Sequence, residues 1–412
     1  MTADPTWVPG AAGSGFGSDH LPYGLFAAEE GSRVGVRVGD FVLDITSLSG
    51  PTGWSPLFAA GSLEPLLASG ASVWRSVRSW VRELVCDVLQ RDSVEAHLHP
   101  LSSVQLLLPL DIGDYVDFYA SEHHASNVGR IFRPGSPPLL PNWRHLPVAY
   151  HGRAGTIVVS GTPIRRPIGQ FAGGEGEPTP SFGPSRKLDI EAELGFVVGV
   201  PSTHGAPIPV ADAESHLFGV VGLNDWSARD VQAWEYVPLG PNLSKSFATS
   251  ISAWITPMEA LQLARVELAP QEPRPLPHLL APDDRGLDIT VTVTIDGEVV
   301  SEPPYSTMYW SPAQMLAHLT SNGASVRAGD LFGSGTISGP EQRQRGSLLE
   351  LSWNGTEAWS PDGRSGFLDD GDTVVLDYVA PGRYGVIRLG EVRGTIVGAA
   401  GSAPHASSTA RR

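Results

Sequence analysis

Between residues 33 and 44 the chain alternates: Val34, Val36 and Val38 precede Gly39-Asp40, and Phe41 and Leu43 follow. Successive side chains on a strand point to opposite faces, so this pattern predicts a β-hairpin closed by a two-residue turn. Residues 73–89 change period, with Val73/Trp74, Val77, Trp80/Val81, Leu84/Val85 and Val88/Leu89 recurring at intervals of three and four. That spacing predicts an amphipathic helix with its Trp pair in the core and Arg75, Arg78, Arg82 and Glu83 on or near the wet side. Residues 1–109 read as a small α+β domain without a cluster of reactive side chains.

From about residue 110 the pattern becomes one of short strands. Strand-like runs recur at 156–160, 188–200, 216–223, 287–295, 298–301, 348–353 and 373–378, with turn signals such as Asp296-Gly297 and the stretch 169–183 between them. Residues 110–412 are therefore read as one large, mostly β domain with long loops, ending in a small polar tail, 401–412, expected to be disordered. The 47 glycines and 36 prolines agree with many turns, and 17% charged residues with a folded chain. A net charge of −16 argues against nucleic acid as a partner. Cys86, the single cysteine, excludes an intramolecular disulfide or a thiolate zinc site and reads as a buried small hydrophobe. Residues 1–17 lack a signal-peptide pattern and no apolar run is long enough for a bilayer, so the expectation is a cytoplasmic protein without membrane attachment.

Four segments carry candidate chemistry. In Leu188–Val198, read as one strand, Glu191 and Glu193 share a face and stand about 7 Å apart. Two such carboxylates either face solvent or hold a hard cation between them. Asp117 offers another oxygen ligand, and His123-His124 follow it; a histidine is the usual general base, but spacing does not choose between the two, and on its own such a pair reads first as plain loop surface. Asp225 ends a strand, and Arg229, Gln232 and Tyr236 then fall on one side of a helical turn. With Lys245 these form either a solvated helix face or donors for an oxyanion or carboxylate. The loop Gly333–Pro340, with Thr336, is no phosphate loop, since no Gly-Lys-Ser/Thr follows it. Glu350, read in a short apolar strand, needs a buried partner such as a histidine or else lies at a sheet edge.

Long strings connect these segments. Asp117-Phe118-Tyr119, His124-Ala125-Ser126-Asn127-Val128-Gly129, Pro141-Asn142-Trp143 and Tyr150-His151-Gly152-Arg153 are followed by Ser160-Gly161-Thr162-Pro163-Ile164-Arg165-Arg166-Pro167, Asn224-Asp225-Trp226-Ser227-Ala228-Arg229-Asp230 and Ser334-Gly335-Thr336-Ile337-Ser338-Gly339-Pro340-Glu341. Together with Leu21-Pro22-Tyr23-Gly24-Leu25-Phe26 they resemble, in order and over nearly the whole chain, the fumarylacetoacetate hydrolase family. The resemblance implies a small SH3-like N-terminal domain, a mixed β-roll C-terminal domain and a homodimer. It implies Asp117, Glu191, Glu193 and Asp225 as ligands of calcium or magnesium (manganese also accepts oxygen ligands), with Lys245 and Thr249 at a second, structural magnesium. It implies His124, not His123, as general base oriented by Glu350, and Arg229, Gln232 and Lys245 as the oxyanion-stabilising group. Tyr119, Arg133, Tyr150, Gln232, Tyr236 and Thr336 match substrate-contacting positions. The implied reaction is metal-dependent hydrolysis of the carbon–carbon bond of fumarylacetoacetate to fumarate and acetoacetate, the last step of tyrosine and phenylalanine catabolism. Acylpyruvate hydrolysis or oxaloacetate decarboxylation is the alternative within the superfamily, and a binding protein without activity the alternative outside it. Ser244 and Ala248 depart from usual glycines near Lys245, and Glu122-His123 departs from the usual residues before the base.

Overall fold

The computed structural model describes residues 3–29, 31–174, 177–280, 285–360 and 362–400. The tail expected to be disordered, 401–412, lies outside them. The first hundred residues form an antiparallel sheet of β1 (Tyr23–Ala28), β2 (Gly31–Val38), β3 (Phe41–Asp44), β4 (Leu98–Pro100) and β5 (Leu106–Leu107), in the order β4-β3-β2-β1-β5. The expected hairpin is present: Val38 pairs with Phe41, and Gly39 takes φ +60° in the turn. The expected helix is α1 (Ala71–Cys86), whose Val77, Val81, Leu84 and Val85 are buried and whose Trp74 and Trp80 pack against the same core.

Three details of α1 differ from the helical reading. Arg78 is buried, because its guanidinium donates to the backbone carbonyls of Asp19 and His20, and spacing along one helix cannot reveal the segment crossing it. Cys86 is only half-buried. Asp87 leaves the helical region (φ −84°, ψ 113°) and accepts from Leu89 N, so the helix stops there and Val88 and Leu89 are exposed.

The rest of the described chain builds two large mixed sheets and three two-stranded ones. The central one contains β6 (Tyr115–Phe118), β7 (Ala149–His151), β8 (Ile157–Val159), β9 (Ala192–Val198), β10 (Leu217–Asp225), β11 (Thr249–Ile251) and, further along, β14 (Leu331–Gly333). Its order is β7-β6-β14-β9-β10-β11-β8, with β6–β14 and β8–β11 parallel. The second contains β12 (Thr290–Ile295), β13 (Glu298–Ser301), β15 (Thr373–Gly382) and β16 (Val392–Val397), in the order β13-β12-β15-β16. Between these strands run the helices α2 (Glu122–Phe132), α3 (Arg229–Glu235) and α4 (Leu348–Leu351). Tyr378 on β15 stitches the sheets together: its hydroxyl donates to Leu223 O and accepts from Leu223 N, both at 3.0 Å. Gly222 permits that approach, since a Cβ there would stand 2.3 Å from the Tyr378 ring.

The run 348–353, read as a strand, is helical over Leu348–Leu351, and two further readings need correction. The run 188–200 is broken at Ile190-Glu191, where the side chains of Asp189 and Asn224 take the backbone N–H groups of those residues in place of a ladder. The stretch 169–183, read as turns, holds an antiparallel hairpin of Ile168–Phe171 and Ser181–Pro184.

One face of the central sheet carries two jobs. Cross-strand partners share a face, and Asp117 pairs with Gly333, Gly195 with Gly333, Glu193 with Leu223 and Asp225 with Thr249. Further along that face Tyr115, Val197, Val221, Leu223 and Leu331 belong to the core completed by Val34, Val36, Leu43 and Val81 of the N-terminal part. The N-terminal sheet thus covers the apolar end of a face whose other end is acidic.

His20 fastens this junction. It is fully buried, with Nδ1 bonded to Gly15 O at 3.0 Å and Nε2 to Thr256 Oγ1 at 2.9 Å. Burial holds its pKa down at about 3 against the Gly15 bond, which favours the cation. Below pH 6.5 the unfolded chain binds a proton the folded one refuses, so this contribution is complete above pH 6.5 and falls by about 1.4 kcal/mol per pH unit toward pH 3. We expect His20→Asn to lower stability at pH 7 yet flatten the loss between pH 6.5 and 5, read as Tm against pH; parallel curves would refute the assignment.

Candidate active site

Asp117 comes from β6, Glu193 from β9, Asp225 from the last position of β10, and Glu191 from the break before β9. None is more than 4% exposed, and one oxygen of each lies within 4.8 Å of the others. The solvated reading of the Glu191/Glu193 pair is therefore excluded: both acids are buried. Gly333 makes room for them, because a Cβ there would fall 2.5 Å from Asp117 Oδ1 and 2.9 Å from Glu193 Oε2. Burial, reinforced by Asp225, pushes the Asp117 carboxyl up to about 8, and burial likewise raises Glu193 and Asp225. Glu191 goes the other way: burial opposes its charge, but the adjacent Lys245 and Arg229 outweigh it.

The cluster is only partly satisfied by protein donors. Lys245 Nζ donates to Glu191 Oε2 and, at 2.9 Å, to Asp225 Oδ2. Tyr150 OH donates to Asp225 Oδ2 at 2.8 Å and Thr249 Oγ1 to Asp225 Oδ1 at 3.0 Å. Asp117 Oδ1 and Glu193 Oε1 are buried and accept no hydrogen bond. Four converging carboxylates with such orphaned oxygens fit a hard divalent cation, which takes oxygen ligands and removes their repulsion. As an ammonium Lys245 has no lone pair for a metal, so any ligand from it would be its backbone oxygen.

The two adjacent histidines separate. His123 is half-buried, whereas His124 is 2% exposed near the start of α2, with Ser121 Oγ accepting from its backbone N–H. Its Nδ1 lies 2.6 Å from Glu350 Oε2, and its Nε2 lies 3.9 Å from Glu191 Oε1. A carboxylate only accepts, so Nδ1 carries a hydrogen, and Nε2 faces the acids. Glu350 also accepts from Asn127 Nδ2, Ser338 Oγ and Ser347 Oγ; burial raises its pKa, but His124 and these donors hold the carboxyl below the usual range. Glu350 is on a helix, not the strand expected: Ser347 Oγ accepts from Glu350 N at 3.3 Å, the Ser-x-x-Glu start of α4. Glu122 pairs with Arg144 and so is engaged away from the base.

Arg229 opens α3 and is 2% exposed. Its Nε donates to Asp189 Oδ2 at 2.7 Å, Nη1 to Gln232 Oε1 at 3.0 Å, and Nη2 stands 2.8 Å from Glu191 Oε1. Because Gln232 accepts through its oxygen, both its amide hydrogens remain for another acceptor. The Tyr119 ring meets the His124 ring edge-on at 5.2 Å, and the Tyr236 ring stacks on Phe132 at 6.2 Å. Arg133 caps α2 nine residues beyond His124, about 13 Å along the axis, and donates to Pro138 O. Thr336 Oγ1 is buried without a hydrogen-bond partner. A cleft of about 340 Å³ reaches the acids from the Asp225 side, lined by Tyr150, Arg153, Asn242, Lys245 and Thr249.

Sequence reading missed Asp189, Asn127, Ser338 and Ser347, which touch the named residues without standing among them. The pattern Asp189-x-Glu191-x-Glu193 and the position of Asn127, one turn after His124, were the available signals. Of the two departures from glycine, Ser244 is integrated: its Oγ donates to Glu235 Oε1 at 2.6 Å.

Comparison with known proteins follows this geometry. Residues 19–109 match the family described as Fumarylacetoacetase N-terminal, and residues 115–397 match Fumarylacetoacetate (FAA) hydrolase C-terminal. Fumarylacetoacetase of Dictyostelium discoideum is 43% identical over 408 residues (93% of this chain, 96% of the relative), and that of Homo sapiens 41% identical over 413 residues (95% and 98%). Among solved structures, a fumarylacetoacetate hydrolase from Exiguobacterium antarcticum superposes with a TM-score of 0.53 at 18% identity, over 92% of this chain and 99% of that one, which speaks to the fold alone. A 2-hydroxyhepta-2,4-diene-1,7-dioate isomerase from Mycobacterium marinum gives 0.50 at 16% identity, over 93% and 100%. Matching both parts in order, and relatives above 40% identity over nearly their full length, the chain belongs to the fumarylacetoacetate hydrolase family.

Proposed function

We propose that the chain hydrolyses the carbon–carbon bond of fumarylacetoacetate, giving fumarate and acetoacetate, as the closing hydrolase of tyrosine catabolism. The observation that carries the reading is the juxtaposition of a buried four-carboxylate cluster with a carboxylate-held imidazole, His124 Nε2 lying 3.9 Å from Glu191 Oε1, in a chain 41–43% identical to fumarylacetoacetases. These relatives favour fumarylacetoacetate over the alternative substrates, acylpyruvates or oxaloacetate.

In this reading Asp117, Glu191, Glu193 and Asp225 hold calcium or magnesium, with manganese also acceptable to oxygen ligands. Bound there, the cation supplies Lewis-acid polarisation of the substrate's paired keto oxygens. Nε2 of His124 takes a proton from water while Glu350 holds Nδ1–H, and the hydroxide oxygen adds to the carbonyl carbon. Arg229, Gln232 and Lys245 donate to the oxygen that gains charge; losing one such donor raises the barrier by about 3 kcal/mol. The carbon–carbon bond then breaks, the carbonyl re-forms, and the proton on Nε2 passes to the leaving enolate carbon. Tyr119, Arg133, Tyr150, Tyr236 and Thr336 line the substrate, with Arg133 gripping a carboxylate. Thr249 and the backbone oxygen of Lys245 are assigned to a second magnesium.

The same reading divides the chain into residues 1–109, an SH3-like antiparallel unit, and 110–412, a β-roll, and makes the molecule a cytoplasmic homodimer. Free Cys86 accords with a reducing compartment. The dimer is supported by exposed apolar side chains: Ile168 and Phe182 on the hairpin 168–184, Trp234, which donates to Gln170 opposite Phe182, and Val237, Leu239 and Leu243 in the loop beyond.

Chelator-treated protein should not consume fumarylacetoacetate, followed by its ultraviolet absorbance, and should regain activity with calcium or magnesium, yielding fumarate. No consumption with any divalent cation refutes the reaction. His124→Ala should keep the circular dichroism of the parent and lose about 10³-fold in kcat; undiminished turnover removes the base assignment. Phe182→Asp with Leu239→Asp should convert a dimer to a monomer in light scattering, and a monomeric parent overturns the dimer.

A further inference from the structure

We propose that Asp189 is a positioning residue, fixing the distance between the oxyanion donor Arg229 and the helix that carries Glu350; the inference rests on the function proposed above. Asp189 is fully buried, and each of its oxygens accepts twice. Oδ1 takes Ile190 N and Leu348 N, both at 2.7 Å. Oδ2 takes Arg229 Nε at 2.7 Å and Leu349 N at 2.9 Å. Four donors fill its four lone-pair sites, so it has nothing left for a cation or a substrate. It acts instead on what it holds.

On one side it fixes the guanidinium edge of Arg229, whose other nitrogens face Glu191 and Gln232. On the other it clamps the first two N–H groups of α4, one and two residues before Glu350. Glu350 in turn sets the ring of His124. A single carboxylate therefore ties the group that stabilises the growing negative charge to the group that orients the base removing the proton. Both must be placed at once for water to add to the carbonyl, and a misplacement near 1 Å costs about 100-fold in rate. In Asp189→Asn one oxygen becomes an N–H₂ facing donors: α4 loses one of its two bonds in either orientation, and Arg229 loses its bond as well when the N–H₂ replaces Oδ2.

The test is steady-state kinetics on fumarylacetoacetate with the cation present, for the parent, Asp189→Asn, Arg229→Gln and the double variant. We expect kcat of Asp189→Asn to fall about 100-fold with KM within three-fold and cation affinity, by calorimetry, unchanged. The double variant should be no more than three-fold slower than the slower single one, since both remove the same arrangement. Multiplying losses, or a lowered active fraction with parental kcat per folded site, overturns the proposal and leaves Asp189 a structural residue. Should Asp189→Asn not fold, Asp189→Glu, which keeps the charge one methylene further out, carries the same expectations. A crystal structure of the variant decides without substrate. A displaced Arg229 or α4 supports the coupling, and both unmoved refutes it, even where an inactive parent has refuted the reaction itself.

Discussion

Four carboxylates held together out of water set the terms for everything around them. Each loses hydration on burial and repels the other three, and the protein supplies only part of the compensation, through Lys245, Arg229 and the hydroxyls of Tyr150 and Thr249. The compensation is lopsided. Glu191, touched by both cations, stays ionised easily, whereas Asp117 and Glu193 keep an oxygen without a donor. That imbalance is why the arrangement reads as a seat for a divalent ion: a cation supplies what the missing donors do not.

The surroundings follow from this demand. Gly333 sits beside the acids, where a side chain would fill the space Asp117 and Glu193 occupy, and a side chain at its neighbour Gly195 would press on Val221, Leu331 and Leu223. The polar groups divide between two acids: Tyr150 and Thr249 gather at Asp225, His124 and Arg229 at Glu191, and Lys245 bridges the two. Glu191 is thus shared between the cluster and the acid–base machinery, and its place at a break in the sheet lets a residue beside a regular strand reach both.

Much of the fold was legible because periodicity survives burial. The hairpin at Gly39-Asp40, the core stripe of α1 and the run ending at Asp225 followed from alternation or three-four spacing alone. What was lost depended on partners distant in sequence. Arg78 reads as wet until the carbonyls of Asp19 and His20 are seen above it, and Glu350 reads as strand unless Ser347 is recognised as a helix start. The four ligand candidates were legible as residue types, but only the pairing of β6, β14, β9 and β10 brings Asp117 within reach of Glu193 and Asp225. Asp189 escaped because its role lies in whom it binds, and its alternation with Glu191 and Glu193 marks the residue without naming its partners.

The face of the central sheet that bears the acids also bears Val197, Val221, Leu223 and Leu331, buried under the N-terminal strands. Strands are stiff along their length, so the lever that lifts one end tips the other. A cavity opened at Val36 or Leu43 would be felt at Asp117 and Asp225 as a change in the spacing of their carboxylates. The N-terminal part therefore acts as ballast for the spacing of the four carboxylates.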